Sequence, residues 1–172
     1  VIAAMAYPEI AVDACDISQD TLAVARINVE RHAMSARIAL LQSDLFANVR
    51  GPYDLIICNP PYVNAASMAM LPPEFRHEPE MALAGGEDGL DIVRRIIDGA
   101  ARRLNPGGGL ICEIGTDREI LEADYPNLPF LWLDSQESEG FAGFLPFAGN
   151  WSVAVRLRKG DSPTLEAEPT VT

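Results

Sequence analysis

Basic residues are scarce in this sequence: lysine and arginine number 13 against 25 aspartate and glutamate residues, and the formal net charge is -12. A duplex DNA-binding protein takes most of its affinity from cationic contacts to phosphates, so direct nucleic-acid binding is not expected. The sequence also lacks an apolar run long enough to cross a bilayer and a basic segment followed by an apolar one at its start, so we expect no membrane association. An acidic surface favours a basic partner and a cationic ligand, or serves only solubility.

Cysteine is rare as well. Cys15, Cys58 and Cys112 are far apart, and no CxxC pair occurs. An odd count at this spacing argues against a disulfide framework and against a zinc site, so we expect no metal and interpret the three thiols as small buried side chains. Reduced thiols without an export signal predict a cytoplasmic protein.

Apolar runs alternate with segments of helical spacing along the 172 residues, 48% of which are hydrophobic. This alternation predicts one α/β domain with a mostly parallel sheet. The predicted strands are Ile10–Cys15, Arg37–Gln42, Tyr53–Cys58, Leu110–Ile114, Phe130–Asp134 and one within Asn150–Arg158. The predicted helices are Ser18–Ala33, with Ser18 as its N-cap, Asp88–Leu104, and a short one around Asp117–Tyr125.

Three segments fall outside this alternation. The sequence Asn-Pro-Gly-Gly-Gly at 105–109 predicts the end of the second helix, whose last turn would then hold Arg102 and Arg103. Residues 64–89 form a long connection rich in methionine, proline and glycine, and such connections are usually functional or disordered. Residues 159–172 are polar and predict a disordered tail.

Carboxylates follow two of the predicted strands. Asp16 closes the first strand and Asp44 follows the second. In open α/β sheets ligands bind beyond the carboxyl ends of the strands, and ionised carboxylates accept hydrogen bonds from hydroxyl and amino groups. The pattern therefore indicates a ligand that carries such groups, such as a nucleoside. The alternative is that both residues only cap helices or form turns.

The sequence Asn59-Pro60-Pro61-Tyr62 follows the third strand directly. Each proline biases the residue before it toward an extended conformation, so the carbonyl groups of this loop have fixed directions. The side-chain oxygen of Asn59 and the carbonyl of Pro60 can each accept one N–H of an incoming –NH2 group, and Tyr62 can pack against the planar group that is held. The alternative is a rigid turn without chemistry.

The Asn-Pro-Pro-Tyr sequence after an apolar strand, with Asp16 and Asp44 upstream, resembles class I S-adenosylmethionine-dependent methyltransferases that act on a planar nitrogen. The following segment narrows the resemblance to the N5-glutamine protein methyltransferases, whose Glu-Pro and Ala-Leu pairs are matched by Glu78-Pro79 and Ala82-Leu83. The version "LPPEFRHEPE" is most similar to the branch that modifies large-subunit ribosomal protein three.

The resemblance implies a Rossmann-like sheet with an antiparallel last strand and a basic ribosomal protein as substrate. It implies a partial catalytic domain over residues 1–158, followed by the tail at 159–172. The Asn59, Pro60, Pro61 and Tyr62 loop would hold the glutamine amide, with Asn59, Pro60 and Tyr62 as catalytic residues. Cofactor-binding residues would be the ribose ligand Asp16 with Ile17, the adenine ligand Asp44 with Leu45, and Asn59.

The sequence departs from the family at its start, which lacks the first strand and the glycine-rich loop that cradles the methionine part of the cofactor. The opening VIAAMA resembles the end of a helix, so we expect an N-terminally truncated chain. The missing strand would lie between the strands ending at Cys15 and Cys58, and we expect unpaired backbone groups on both, with impaired cofactor binding.

Three alternatives remain at this point. An N6-adenine methyltransferase would use the same loop to hold a flipped base. A truncated α/β remnant would have no catalytic activity. A release factor remains an alternative protein substrate. No general base is evident, and His77 and Glu78 in the long connection are more consistent with packing or with shaping a lid.

Overall fold

A computed structural model describes residues 1–70, 82–115 and 117–132 and the backbone of residues 152–157. Its elements, in chain order, are α1 (Ile2–Ala6), β1 (Ile10–Asp16), α2 (Gln19–Arg31), β2 (Ile38–Gln42), β3 (Tyr53–Cys58), α3 (Ala65–Met68), α4 (Asp91–Ala100), β4 (Leu104–Cys112), α5 (Arg118–Asp124) and β5 (Ser152–Leu157). The predicted tail at 159–172 lies outside the described residues.

The strands form one sheet in the order β2-β1-β5-β3-β4. β1 runs parallel to β2 and β3 runs parallel to β4, whereas β5 is antiparallel to both β1 and β3. The predicted α/β class with an antiparallel last strand is confirmed. The prediction of unpaired backbone groups on β1 and β3 is wrong, because β5 lies between them and pairs with both.

Helix α2 follows its sequence signals closely. The Ser18 hydroxyl accepts a hydrogen bond from the backbone N–H of Thr21 at 3.3 Å, as an N-cap does. Leu22, Ala25 and Val29 are buried and repeat at helical spacing, so one face of α2 packs on the sheet. The predicted helix and its cap are therefore confirmed.

The region after α4 differs from the prediction. The helix ends at Ala100, and residues 105–109 lie inside β4, which already begins at Leu104. Leu104 pairs with Tyr53, and the register then shifts so that Gly109 pairs with Leu55. The glycines absorb this irregularity, since Gly107 has a φ of +82°. The segment therefore forms a bulged strand and does not continue or cap the helix.

The predicted strand at Phe130–Asp134 is wrong where it can be tested. Phe130, Leu131 and Trp132 are not in a strand, and the next two residues lie outside the described part of the chain. The rings of Phe130 and Trp132 stack with centroids 5.3 Å apart, and both pack on a cluster containing Leu90 and Leu121. The apolar residues here pack against this cluster without forming a strand. A short apolar run is compatible with either structure, so the sequence pattern could not distinguish them.

Arg103, in the turn between α4 and β4, hydrogen-bonds to the loop that follows β2. Its guanidinium donates hydrogen bonds to the carbonyl oxygens of Val49 at 3.1 Å, Gly99 at 3.1 Å and Phe46 at 2.9 Å, and it lies over the Phe46 ring. The prediction of Arg102 and Arg103 in the last turn of the helix is wrong, because that turn ends before them. The bond to Gly99 nevertheless satisfies a carbonyl at the helix end.

Replacement of Arg103 by methionine is expected to lower the free energy of unfolding by about 2 kcal/mol, because charge-assisted hydrogen bonds to three carbonyls are lost. Urea unfolding followed by circular dichroism measures the change. The matched control is Arg102→Met at the exposed neighbouring position, and equal losses for the two variants would contradict the assignment.

The core contains the side chains predicted from the strands. Tyr53 is fully buried, and its hydroxyl donates to the Asp13 carboxylate at 2.6 Å, which links β3 to β1 across the sheet. Cys15 and Cys58 are buried, as predicted, whereas Cys112 is half-buried, and all three are free thiols. Burial raises the pKa of Cys15 to about 11, so the thiol stays protonated and unreactive.

Candidate active site

The carboxyl ends of β1 and β3 lie at the same edge of the sheet and at the same level along the strands. Cys15 and Cys58 both pair with Ser152 of β5. Asp16, the last residue of β1, and Asn59, the first residue after β3, are therefore about two strand spacings apart, or about 10 Å. β2 lies outward from β1 and β4 outward from β3. Chain connections leave this point in opposite directions, which makes it the switch point at which α/β sheets bind ligands.

Asp16 forms part of the turn into α2. One of its carboxylate oxygens accepts a hydrogen bond from the Ser18 N–H at 2.7 Å, so the turn-forming role considered from the sequence is observed. Burial raises the pKa of Asp16, and hydrogen bonds from the backbone of Ser18 and Ile17 oppose this shift. The Ile17 side chain is half exposed at the same sheet edge. The Asp16 carboxylate is half-buried at this sheet edge, and its two oxygens can accept more hydrogen bonds than these two backbone N–H groups donate.

Asp44 has a partner that the sequence did not indicate. Both of its carboxylate oxygens accept hydrogen bonds from one nitrogen of Arg95 on α4, at 3.1 and 2.9 Å. Both side chains are 51% exposed. Leu45 follows with a φ of +46°, a left-handed conformation that is uncommon for a residue with a side chain. Its carbonyl accepts a hydrogen bond from the buried Ser43 hydroxyl at 2.8 Å, which holds this turn.

The Asn59–Tyr62 loop follows β3, and the residue after it is hydrogen-bonded to the segment before α4. Pro60 is buried, whereas Asn59, Pro61 and Tyr62 are half-buried. Val63 then forms an isolated parallel bridge with residue 84, through hydrogen bonds of 2.9 and 2.8 Å. In the described ranges the Asn59 side chain has no hydrogen-bond partner, and no polar side-chain atom is both buried and unpaired.

Tyr62 and Glu113 form a pair that the sequence reasoning missed. The Tyr62 hydroxyl donates a hydrogen bond to Glu113 Oε1 at 3.1 Å. Glu113 is the first residue after β4, and its N–H donates to the Cys58 carbonyl at 3.0 Å. It therefore lies beside Asn59 at the same edge of the sheet. The available signal was its position directly after an apolar strand, the same signal that identified Asp16.

Glycines surround Tyr62. A Cβ atom added at Gly89 would lie 2.5 Å from the Tyr62 carbonyl oxygen, and one at Gly85 would lie 2.8 Å from the Tyr62 Cα. At Gly115 it would lie 3.2 Å from Cδ2 of the ring. Gly89 also has a φ of +84°, which disfavours a side chain on conformational grounds. The backbone and the ring of Tyr62 are thus closely confined.

The environment of Tyr62 can be tested by titration. Burial, and then the charge and hydrogen bond of Glu113, raise the pKa of Tyr62 to about 12. We expect Glu113→Gln to lower this pKa while leaving it above the ordinary value, because the charge is removed and the burial remains. The measurement is the absorbance of the phenolate with increasing pH, with Tyr62→Phe subtracted as a reference. An unchanged pKa would show that the carboxylate does not contact the phenol.

Some predicted residues cannot be placed. His77, Glu78 and Pro79 lie outside the described residues, whereas Ala82 and Leu83 lie within them, next to the bridge to Val63. In the described ranges no group of three or more histidine, cysteine, aspartate or glutamate side chains could hold a metal ion. The described helices are all too short or too polar to span a membrane.

The family model named methyltransferase small domain matches residues 1–119. The chain belongs to this methyltransferase family. Its fold is also similar to that of the hMettl16 catalytic domain, solved in complex with the MAT2A 3'UTR hairpin 6, with a TM-score of 0.56 and 16% identity over 87% of this chain and 56% of that one. A likeness at this identity shows the fold alone.

Curated relatives of this methyltransferase domain are named ribosomal protein uL3 glutamine methyltransferase. The relative from Neisseria meningitidis serogroup A is 52% identical over 81% of this chain and 46% of its own length. Those from Bradyrhizobium diazoefficiens and Burkholderia pseudomallei are 53% and 51% identical over 81% of this chain and 44% and 48% of their own lengths. The chain thus spans about half the length of the relatives it matches. The resemblance predicted from the Asn59–Tyr62 motif is confirmed.

Proposed function

We propose that the full-length gene product transfers a methyl group from S-adenosylmethionine to the side-chain amide nitrogen of a glutamine in a ribosomal protein. The observation that carries the proposal is the position of the Asn59–Tyr62 loop. It follows β3 directly at the switch point of the sheet, about 10 Å from Asp16. The names of the relatives support the same substrate class.

The residues at the end of β1 fit the ribose of the proposed cofactor. The half-buried Asp16 carboxylate accepts hydrogen bonds from the backbone of Ser18 and Ile17, and the remaining acceptor sites on its two oxygens can accept hydrogen bonds from ribose hydroxyls. Asp44 fits the adenine of the cofactor less well, because both of its carboxylate oxygens already accept hydrogen bonds from Arg95. This ion pair is half exposed, and exchange of such a pair for a ligand amine costs little. When bound, S-adenosylmethionine supplies a methyl group on a sulfonium.

The loop residues would activate the amide mainly by orienting it. A carboxamide nitrogen is a poor nucleophile, because its lone pair is delocalised into the carbonyl. The Asn59 side-chain oxygen and the Pro60 carbonyl would each accept one N–H of the glutamine, which fixes the direction of the nitrogen. As the nitrogen gains positive charge, its N–H groups become stronger donors. The two acceptors then stabilise the transition state more than the ground state.

The charge of the chain suits the proposed substrate. The formal net charge of -12 would attract a basic ribosomal protein and slow the approach of nucleic acid. A ribosomal protein substrate also agrees with the cytoplasmic location predicted from the sequence. Within the chain, residues 1–158 would then form the part of the catalytic domain that carries the substrate loop, and residues 159–172 a disordered tail.

The test uses the full-length gene product with labelled S-adenosylmethionine. The purified basic ribosomal protein, a release factor and unmethylated DNA are each incubated with it, and mass spectrometry locates the methyl group. We expect the methyl on a glutamine amide of the ribosomal protein. Methylation of the release factor would correct the substrate, and methylation of adenine would overturn the proposal while keeping the chemistry of the loop.

A further inference from the structure

Glu113 is held at the active-site edge by two contacts. Its N–H donates to the last carbonyl of β3, at Cys58, and its side chain accepts the Tyr62 hydroxyl at 3.1 Å. It makes no salt bridge with any described residue, so the phenol is its only side-chain partner there. Among the described residues, the half-buried Glu113 carboxylate therefore has a tyrosine of the substrate loop as its side-chain donor.

The contact determines where the Tyr62 ring lies. Gly85 and Gly89 approach the Tyr62 backbone, and Gly115 leaves space for one side of the ring. Gly85 and Gly89 thus confine the backbone of Tyr62, Gly115 lies beside one edge of its ring, and the hydrogen bond to Glu113 holds the hydroxyl end of the ring. A tyrosine with two rotatable bonds is thus reduced to one orientation before a substrate arrives, which lowers the entropic cost of binding.

We propose that Glu113 is a positioning residue for methyl transfer, which fixes the plane of the Tyr62 ring against which the substrate amide packs. The proposal rests on the proposed function, because the amide is the group that the ring orients. Glu113 acts through Tyr62 and does not touch the amide. Its loss therefore disturbs the alignment of the bound amide and leaves the affinity for the cofactor unchanged.

The test compares Glu113→Ala, Glu113→Gln, Tyr62→Phe and the double variant Glu113→Ala/Tyr62→Phe in the full-length gene product. We expect Glu113→Ala and Tyr62→Phe each to lower kcat about 10-fold, with the KM for S-adenosylmethionine unchanged, because misalignment slows the chemical step. We expect the double variant to be no slower than either single variant, since both remove one interaction. Glu113→Gln keeps an oxygen that accepts the hydrogen bond and is expected to retain most of kcat. Glu119→Ala, at an exposed position of α5, is the matched control and is expected to react at the wild-type rate.

Wild-type kcat in Glu113→Ala, or losses that multiply in the double variant, would overturn the proposal. The phenol titration of Glu113→Gln gives a second readout without catalysis, and an unchanged Tyr62 pKa there would also overturn it. Failure of the proposed function has a different signature, which is a wild-type protein that methylates adenine and no glutamine. The same non-additive loss in the adenine assay would still support the positioning role of Glu113.

Discussion

In the full-length gene product, Asn59→Ala is expected to lower the rate of glutamine methylation by a factor on the order of 10² or more, with little change in the affinity for S-adenosylmethionine. The side-chain oxygen of Asn59 accepts a hydrogen bond that strengthens as the substrate amide nitrogen becomes positive. Removal of this oxygen therefore destabilises the transition state more than the bound substrate, which lowers kcat. Steady-state kinetics with the ribosomal protein give kcat, and calorimetric titration gives the cofactor affinity.

The control for this variant is Asn28→Ala on the exposed face of α2, which is expected to leave both quantities unchanged. Thermal unfolding of the two variants tests whether the loop substitution disturbs the fold. Turnover of Asn59→Ala at the wild-type rate would refute the role of the amide. A parallel loss of cofactor affinity would show that the cofactor-binding role that the resemblance implies for Asn59 accounts for part of the effect.

Proline at each of Val153, Ala154 and Val155 is expected to lower the free energy of unfolding by about 2 kcal/mol or more. Ala154 pairs with Asp13 of β1 and with Ile56 of β3, so β5 has partners on both sides. In a strand with two partners, N–H groups that point to alternate sides are all bonded, and every proline removes one bond. Urea unfolding of the three variants measures the losses.

The control is Gln19→Pro, at the first position of α2. The N–H of a residue there has no partner within the helix, and the preceding Ser18 is extended, as a residue before proline prefers. We expect this variant to lose about 1 kcal/mol or less, because only the exposed hydrogen bond from the Gln19 side chain to Gln42 is removed. If β5 were at the edge of the sheet, one of two consecutive prolines would be tolerated like the control, and that alternation would contradict the central position.

The elements that could be predicted are those whose signals are local. β1, β2 and β3 follow from short apolar runs, and α2 follows from Ser18 and its buried stripe. The segment at 105–109 was misjudged, because proline and glycine usually end a helix, whereas here they form a bulged strand whose register depends on β3. The place of β5 could not be predicted, since pairing with β1 and β3 depends on segments about 100 residues or more away in sequence.

The residues of the candidate site also separate into those that local sequence signals identify and those that depend on distant contacts. Asp16 and Asn59 were found because they directly follow apolar strands. The pairs Arg95–Asp44 and Tyr62–Glu113 were not found, because each joins residues 51 positions apart. A carboxylate that follows a strand looks the same in the sequence whether it meets a ligand, a guanidinium or a phenol. Only the packing of α4 and the register of β4 determine which partner it has.

The central position of β5 also governs the order in which a newly made chain can fold. β1 and β2 lie within residues 10–42 and β3 and β4 within residues 53–112, so both pairs of strands are synthesised before β5. The two pairs of strands join only when residues 152–157 have been made. Until then each pair has an open edge of unpaired N–H and C=O groups, which is a template for pairing with other chains. A nascent chain that stalls before residue 152 is therefore expected to aggregate unless a chaperone covers both edges.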